Sequence, residues 1–167
     1  LVGQLITEVE KLRGQFPHVR IIAISDSAFH ITKPDYAWNY GINLHDADEH
    51  DIKRFGFHGL PVASAVQTLH AHEKLPPRVV VCCLGDRTSV SAIYHGKSLD
   101  MTSGYSPTDG LMSGSSAGSI DPQAVTVLKR ELGLDDKNMM EYLRTRGGLL
   151  GLSGATRMNF QAACASA

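Results

Sequence analysis

Val19-Arg20-Ile21-Ile22-Ala23-Ile24-Ser25-Asp26-Ser27 is a short apolar run that stops in a polar turn. Too brief for a buried helix and rich in β-branched residues, it reads as a buried strand. Upstream, Leu5, Ile6, Val9 and Leu12 recur at helical spacing, which predicts a helix from about Val2 to Arg13 that ends at Gly14. A helix feeding a buried strand is an α/β signature. Asp26 then falls at the C-terminal end of that strand, where open α/β sheets commonly place their ligands.

Working outward, the compact run Lys53-Arg54-Phe55-Gly56-Phe57-His58-Gly59 precedes Pro61, which suits the first position of a helix reaching about His72. Val62, Ala65, Val66 and Leu69 lie on one face of that helix, and His58 sits in the loop before it. Pro76-Pro77 breaks the pattern and marks a boundary between residues 1–75 and 76–167. Beyond it the rhythm is that of a β-meander: Val79 to Leu84, a turn at Gly85-Asp86-Arg87, Thr88 to Tyr94, a hairpin turn at His95-Gly96-Lys97, and a short strand to Asp100. A segment rich in Gly, Ser, Thr and Met follows from Met101 to Ser119. Asp121-Pro122 opens a helix to about Leu132 that Gly133 closes. A second helix is expected near Lys137 to Arg144, and Gly147 to Gly154 reads as a turn between helix and strand.

The 167 residues carry a formal charge of −1 with acidic and basic side chains interspersed, so there is no basic stripe for nucleic acid. No apolar run approaches the roughly 20 residues that span a bilayer, and a cytoplasmic location without membrane contact is the expectation. Cys82, Cys83 and Cys164 have no C-x-x-C spacing, which argues against a disulfide framework or a structural zinc site. Cys82 and Cys83 are expected on a buried strand, facing opposite ways. His45-Asp46-Ala47-Asp48-Glu49-His50 offers metal-ligand chemistry, but its spacing matches no established site, and a solvated charged helix is expected; no metal ligand is assigned. The chain opens at Leu1, already inside the helical pattern, which suggests a trimmed or shortened version of a longer protein.

Five stretches, taken in order, resemble the acetate and propionate kinase family. They are Asp26-Ser27-Ala28-Phe29-His30, Arg54-Phe55-Gly56-Phe57-His58-Gly59, Gly96-Lys97-Ser98-Leu99-Asp100, Gly110-Leu111-Met112 with Gly118-Ser119-Ile120-Asp121-Pro122, and the run from Gly148 to Gly154. The resemblance spans nearly the whole chain and corresponds to the middle of a family member. It implies an α/β ribonuclease-H-like fold of the actin and sugar-kinase superfamily. Residues 1–75 would be the C-terminal part of a first domain and residues 76–167 the N-terminal part of a second.

The implied chemistry is transfer of the ATP γ-phosphoryl to a short-chain carboxylate, giving an acyl phosphate and ADP, with Mg2+. Such a transfer needs alignment and charge stabilisation more than covalent help. By resemblance, Asp26 is similar to the family's catalytic aspartate and His58 to the histidine that hydrogen-bonds the phosphoryl group in transit. His30 is given a structural role. The implied partners are a small carboxylate and a nucleotide, and exposed strand edges suggest a homo-oligomer.

Departures from the family pattern are equally specific. Against G-T-R-S-G-D-I-D-P, the chain reads Gly114-Ser115-Ser116-Ala117-Gly118-Ser119-Ile120-Asp121-Pro122, so Ser116 replaces an arginine and Ser119 an aspartate. A serine cannot supply the charge of an arginine fork. The phosphate turn H-L-G-N-G reads Cys83-Leu84-Gly85-Asp86-Arg87, which keeps Gly85, loses the second glycine and gains Asp86 beside Arg87. Gly85, Asp86, Arg87 and Ser116 are therefore a degenerate nucleotide and phosphate site. Two functions follow: a carboxylate kinase, as a segment inactive alone, or a non-catalytic acetokinase-fold binding or assembly module.

Overall fold

A computed structural model describes residues 2–72 and 74–154. Helix α1 (Val2–Gln15) forms where the helical pattern predicts it. The run after it does not become a strand. Residues 21–25 have no regular secondary structure and pair with no strand among the described residues, and Val19, Ile22 and Ile24 are 62%, 72% and 67% exposed. The expectation of a buried strand is thus corrected. Apolar β-branched residues favour extension, but a strand also needs a neighbour to satisfy its backbone, and the described residues provide none.

Ser25 to Ser27 turn the chain into a 3₁₀ segment (Ala28–Thr32), followed by the short helices α2 (Asp35–Trp38) and α3 (Leu44–Glu49). Asn43 caps α3 by accepting from the His45 and Asp46 N–H groups, and His45 packs loosely against Glu49 at 3.6 Å on an exposed face. This is the solvated charged helix that the sequence predicts. Helix α4 (Gly59–His72) begins two residues before Pro61, and His58 lies immediately ahead of it.

The meander forms as read: β1 (Arg78–Cys83), β2 (Ser89–Tyr94) and β3 (Lys97–Met101) make an antiparallel sheet in that order. Tyr94 pairs with Lys97 across the His95-Gly96 turn, and a register shift between Ala92 and Ile93 leaves Leu99 outside the ladder. One face of β1, with Val79, Val81 and Cys83, packs with Val62 and Val66 of α4 and Ile93 of β2. Burying each of these three aliphatic side chains contributes roughly 1.5–3 kcal/mol. The opposite face of β1 is open, so the strand is half-buried and Cys82 is exposed rather than buried.

Residues 102–121 form an irregular stretch tied down by hydrogen bonds. Tyr40 joins it to the first half of the chain: its hydroxyl accepts the Tyr105 N–H at 2.7 Å and donates to the Asp109 carboxylate, which also accepts from Ser119 Oγ at 2.7 Å. Asp121 then caps α5 (Pro122–Glu131), with Pro122 at its start, and Asp135 caps α6 (Asp136–Thr145). The glycine-rich run expected as a turn is a helix, α7 (Gly148–Ser153). Its glycines serve close approach: a Cβ on Gly147 would come within 2.6 Å of the Ala117 nitrogen, and one on Gly148 within 2.2 Å of the Ser113 oxygen. The tight seam between α7 and residues 113–117 therefore excludes side chains at both positions. No helix among the described residues is long and apolar enough to cross a membrane.

Candidate functional site

Asp26 follows the irregular segment 21–25 and meets the start of α4. Its backbone carbonyl accepts the Gly59 N–H at 2.8 Å, and its carboxylate accepts the His58 N–H at 2.7 Å and the Leu60 N–H at 3.2 Å. The carboxylate thus takes up N–H groups that the first turn of a helix leaves without partners, in a position favoured by the helix dipole. Each oxygen accepts one of these bonds, which leaves lone pairs for a cation or a further donor.

His58 adopts φ +61°, a left-handed conformation uncommon outside glycine. Its Nδ1 lies 2.8 Å from Ser89 Oγ at the start of β2. Ser89 is fully buried and pairs with Cys83 across the strands. Burial pushes the Cys83 thiol above its usual range, aided by the nearby Asp26 charge and opposed by the Ser89 hydrogen bond. The Asp26 and His58 region and the end of the sheet therefore share one neighbourhood.

The degenerate turn sits at that same end. Asp86 Oδ1 accepts from Ser115 Oγ at 2.9 Å, joining residues 85–87 to the loop 113–117. Ser115 Oγ also lies 3.3 Å from the Arg144 carbonyl of α6. Ser116 is 1% exposed, and neither its Oγ nor the buried Arg87 Nη1 has a hydrogen-bond partner among the described residues. Buried polar atoms without partners are costly and unusual in folded chains. The Glu141 carboxyl, which the Arg144 guanidinium holds below the usual range, also feels the Arg87 charge.

The structure thus brings Asp26 and His58 together, and Asp86 with the loop that carries Ser116. Ser89 links the two groups, since it is two residues beyond Arg87 and bonded to His58. Ser89 and Ser98 escaped the sequence reading, because alternation along a strand shows which face a serine occupies but not which distant side chain it meets.

Comparison with known proteins identifies the family. The model of the Acetokinase family matches residues 4–164. An acetate kinase of Caldanaerobacter subterraneus subsp. tengcongensis is 38% identical over 143 residues, covering 83% of this chain and 35% of the relative. One from Bacteroides thetaiotaomicron is 34% identical over 163 residues, covering 95% and 41%. Among solved structures, a propionate kinase from Francisella tularensis subsp. tularensis superposes with a TM-score of 0.84 at 28% identity, covering 96% of this chain and 44% of that one. Porphyromonas gingivalis acetate kinase gives 0.78 at 27% identity, covering 95% and 43%. The α/β fold is therefore that of acetate and propionate kinases. The chain belongs to the acetokinase family, and it spans about two fifths of the length of the curated relatives it matches.

Proposed function

We propose that this chain carries the phosphoryl-contacting part of an acetate kinase-like phosphotransferase, which moves the γ-phosphoryl of ATP to a short-chain carboxylate. The observation that carries the reading is the Asp26 and His58 arrangement. One carboxylate with free lone pairs and one imidazole are held together at the start of a helix, within reach of a turn that the family uses for phosphate. Residues 1–75 and 76–167 belong, on this reading, to two successive domains of the family fold.

The division of labour follows from charge. Asp26 would hold Mg2+, which takes few protein carboxylates and completes its shell with phosphate and water. Bound there, the ion would neutralise charge on the transferring phosphates. His58 donates a hydrogen bond to a phosphoryl oxygen, and Gly85 leaves room for a phosphate to approach the backbone. Arg87 supplies the positive charge in that turn and Asp86 opposes it.

Ser116 limits this machinery. It stands where the family pattern has an arginine, and a guanidinium fork on a transferring phosphoryl group contributes about 10³–10⁵ in rate. We infer that the chain alone forms no measurable acyl phosphate. The buried Ser116 also favours the second reading, a non-catalytic acetokinase-fold module that retains anion binding.

Trapping acetyl phosphate as its hydroxamate, with ATP, Mg2+ and acetate present, tests inactivity: turnover abolished by Asp26→Asn or His58→Ala would refute it. Phosphorus NMR of acetyl phosphate titrated with the chain tests the site itself. Line broadening that both substitutions reduce is expected, and broadening indifferent to both would reject the site.

A further inference from the structure

The amide between Phe57 and His58 is one rigid plane with two polar edges, and side chains from elsewhere in the chain hold both. On one edge His30 Nε2 lies 3.0 Å from the Phe57 carbonyl; on the other the His58 N–H donates to Asp26 Oδ2 at 2.7 Å. A carbonyl oxygen only accepts, so His30 carries its proton on Nε2. Its Nδ1 then accepts from Ser98 Oγ at 2.9 Å. His30 and Ser98 are both fully buried, which leaves this tautomer no alternative partner. The clamp holds His58 at φ +61°, a conformation that costs on the order of 1–3 kcal/mol unless its surroundings impose it.

The ring of His58 is held by a further hydrogen bond. Ser89 Oγ lies 2.8 Å from His58 Nδ1. Ser89 Oγ is fully buried, and its hydroxyl proton directed at Nδ1 would leave the ring's own proton on Nε2. Nε2 has no protein partner among the described residues, on a ring only partly buried.

We propose that His30 and Ser89 are positioning residues for His58. His30 sets the backbone conformation, and Ser89 sets the ring orientation and the tautomer, so that a neutral imidazole presents Nε2–H outward to an anionic oxygen. This rests on the reading of His58 as the phosphoryl-contacting group. The tautomer, however, is a property of the chain whether or not phosphate is transferred.

Long-range proton–nitrogen NMR of the whole chain with labelled histidine reads each tautomer directly, and His58→Ala assigns the signal. The expected wild-type result is His58 protonated on Nε2 with Nδ1 unprotonated, and His30 likewise. Wild-type His58 protonated on Nδ1 overturns the proposal without any variant having to fold. In Ser89→Ala the two His58 nitrogen shifts are expected to move toward each other as tautomers mix; unchanged shifts overturn the role of Ser89. His30→Leu is expected to displace the His58 signals, and His30→Gln, whose amide can still donate to the Phe57 carbonyl, to restore them. Equal displacement in both variants would reduce His30 to a packing residue and overturn its role. Acetyl phosphate is then added to wild type. Movement of the His58 Nε2–H signal supports both readings. An unmoved signal with the expected tautomers overturns the phosphoryl reading and leaves the clamp supported.

Discussion

The Asp26 carbonyl and Gly59 touch so closely that the helix start has no room for a methyl group. Their hydrogen bond is 2.8 Å, and a Cβ built on Gly59 would lie 2.1 Å from the Asp26 oxygen. The position of Asp26 relative to His58 therefore depends on a glycine that contributes no functional group.

Gly59→Ala is expected to destabilise the chain by about 1–3 kcal/mol, because overpacking here displaces backbone rather than a flexible side chain. In an unconstrained helix the same change would be stabilising by about 1 kcal/mol. Urea denaturation distinguishes the two signs, and a stabilised variant would show that Asp26 and Gly59 are farther apart than described.

The pH dependence of stability should carry a contribution from His30. Burial, the largest cause, and the nearby Lys33 charge push its pKa below the usual 6.5, against the raising effect of the Phe57 carbonyl. Below that value the unfolded chain binds a proton that the folded one resists, so stability falls as the pH drops through 6.5 and levels off below the folded pKa. In His30→Gln this part of the slope should vanish. Denaturation midpoints between pH 5 and 7.5, compared for the two proteins, measure it, and identical slopes would rule it out.

Lys33 should act at the other end of the scale. It is almost fully buried, donates to the Arg54 carbonyl and lies 4.6 Å from the Trp38 ring centroid. Burial first, and then the Arg54 charge, lower its pKa from 10.5 to about 8. Between those values the unfolded chain holds the proton more firmly, so the contribution of Lys33 makes stability rise from about pH 8 to 10.5. The cost of the buried ammonium is fully present below pH 8. Lys33→Met should flatten that rise in denaturant titrations, and an unaltered profile would contradict a buried, depressed lysine.

Restoring the family arginine should not restore a kinase. Ser116 is sealed beneath α7, where its carbonyl accepts the Ser113 N–H at 3.0 Å and lies within 2.9 Å of a Cβ built on Gly148. Ser116→Arg places a long cationic side chain in a space fitted to a hydroxyl. The expected outcome is a loss of several kcal/mol without acyl phosphate formation, because an unpaired buried charge adds to the overpacking. A variant with native stability and hydroxamate yield would show that the loop readily opens.

What the sequence made legible was local. The meander was readable because each strand pairs with its neighbour in sequence, and the turn His95-Gly96 adopts the positive φ values that join such strands. Helix α5 was readable because Asp121-Pro122 places an acceptor and a fixed φ where a helix starts. The run 19–24 misled for the opposite reason: a strand is a relation between segments, and apolar composition reports only one side of it. The glycines at 147–148 misled because they indicate turn and close packing alike, and here the packing against Ala117 and Ser113 decides. At the site, Asp26 and His58 were legible as residue types in a family pattern. Their dependence on Ser89, His30 and Ser98 was not, since those contacts join residues 27 to 68 positions apart.

The doubly held amide between Phe57 and His58 also makes the site report on itself. With both edges engaged, its proton can meet solvent deuterium only when the start of α4 parts from Asp26, so its exchange rate is a clock for local opening. That clock runs without substrate or nucleotide. It would register a loosened site in an inactive chain as readily as in an active one.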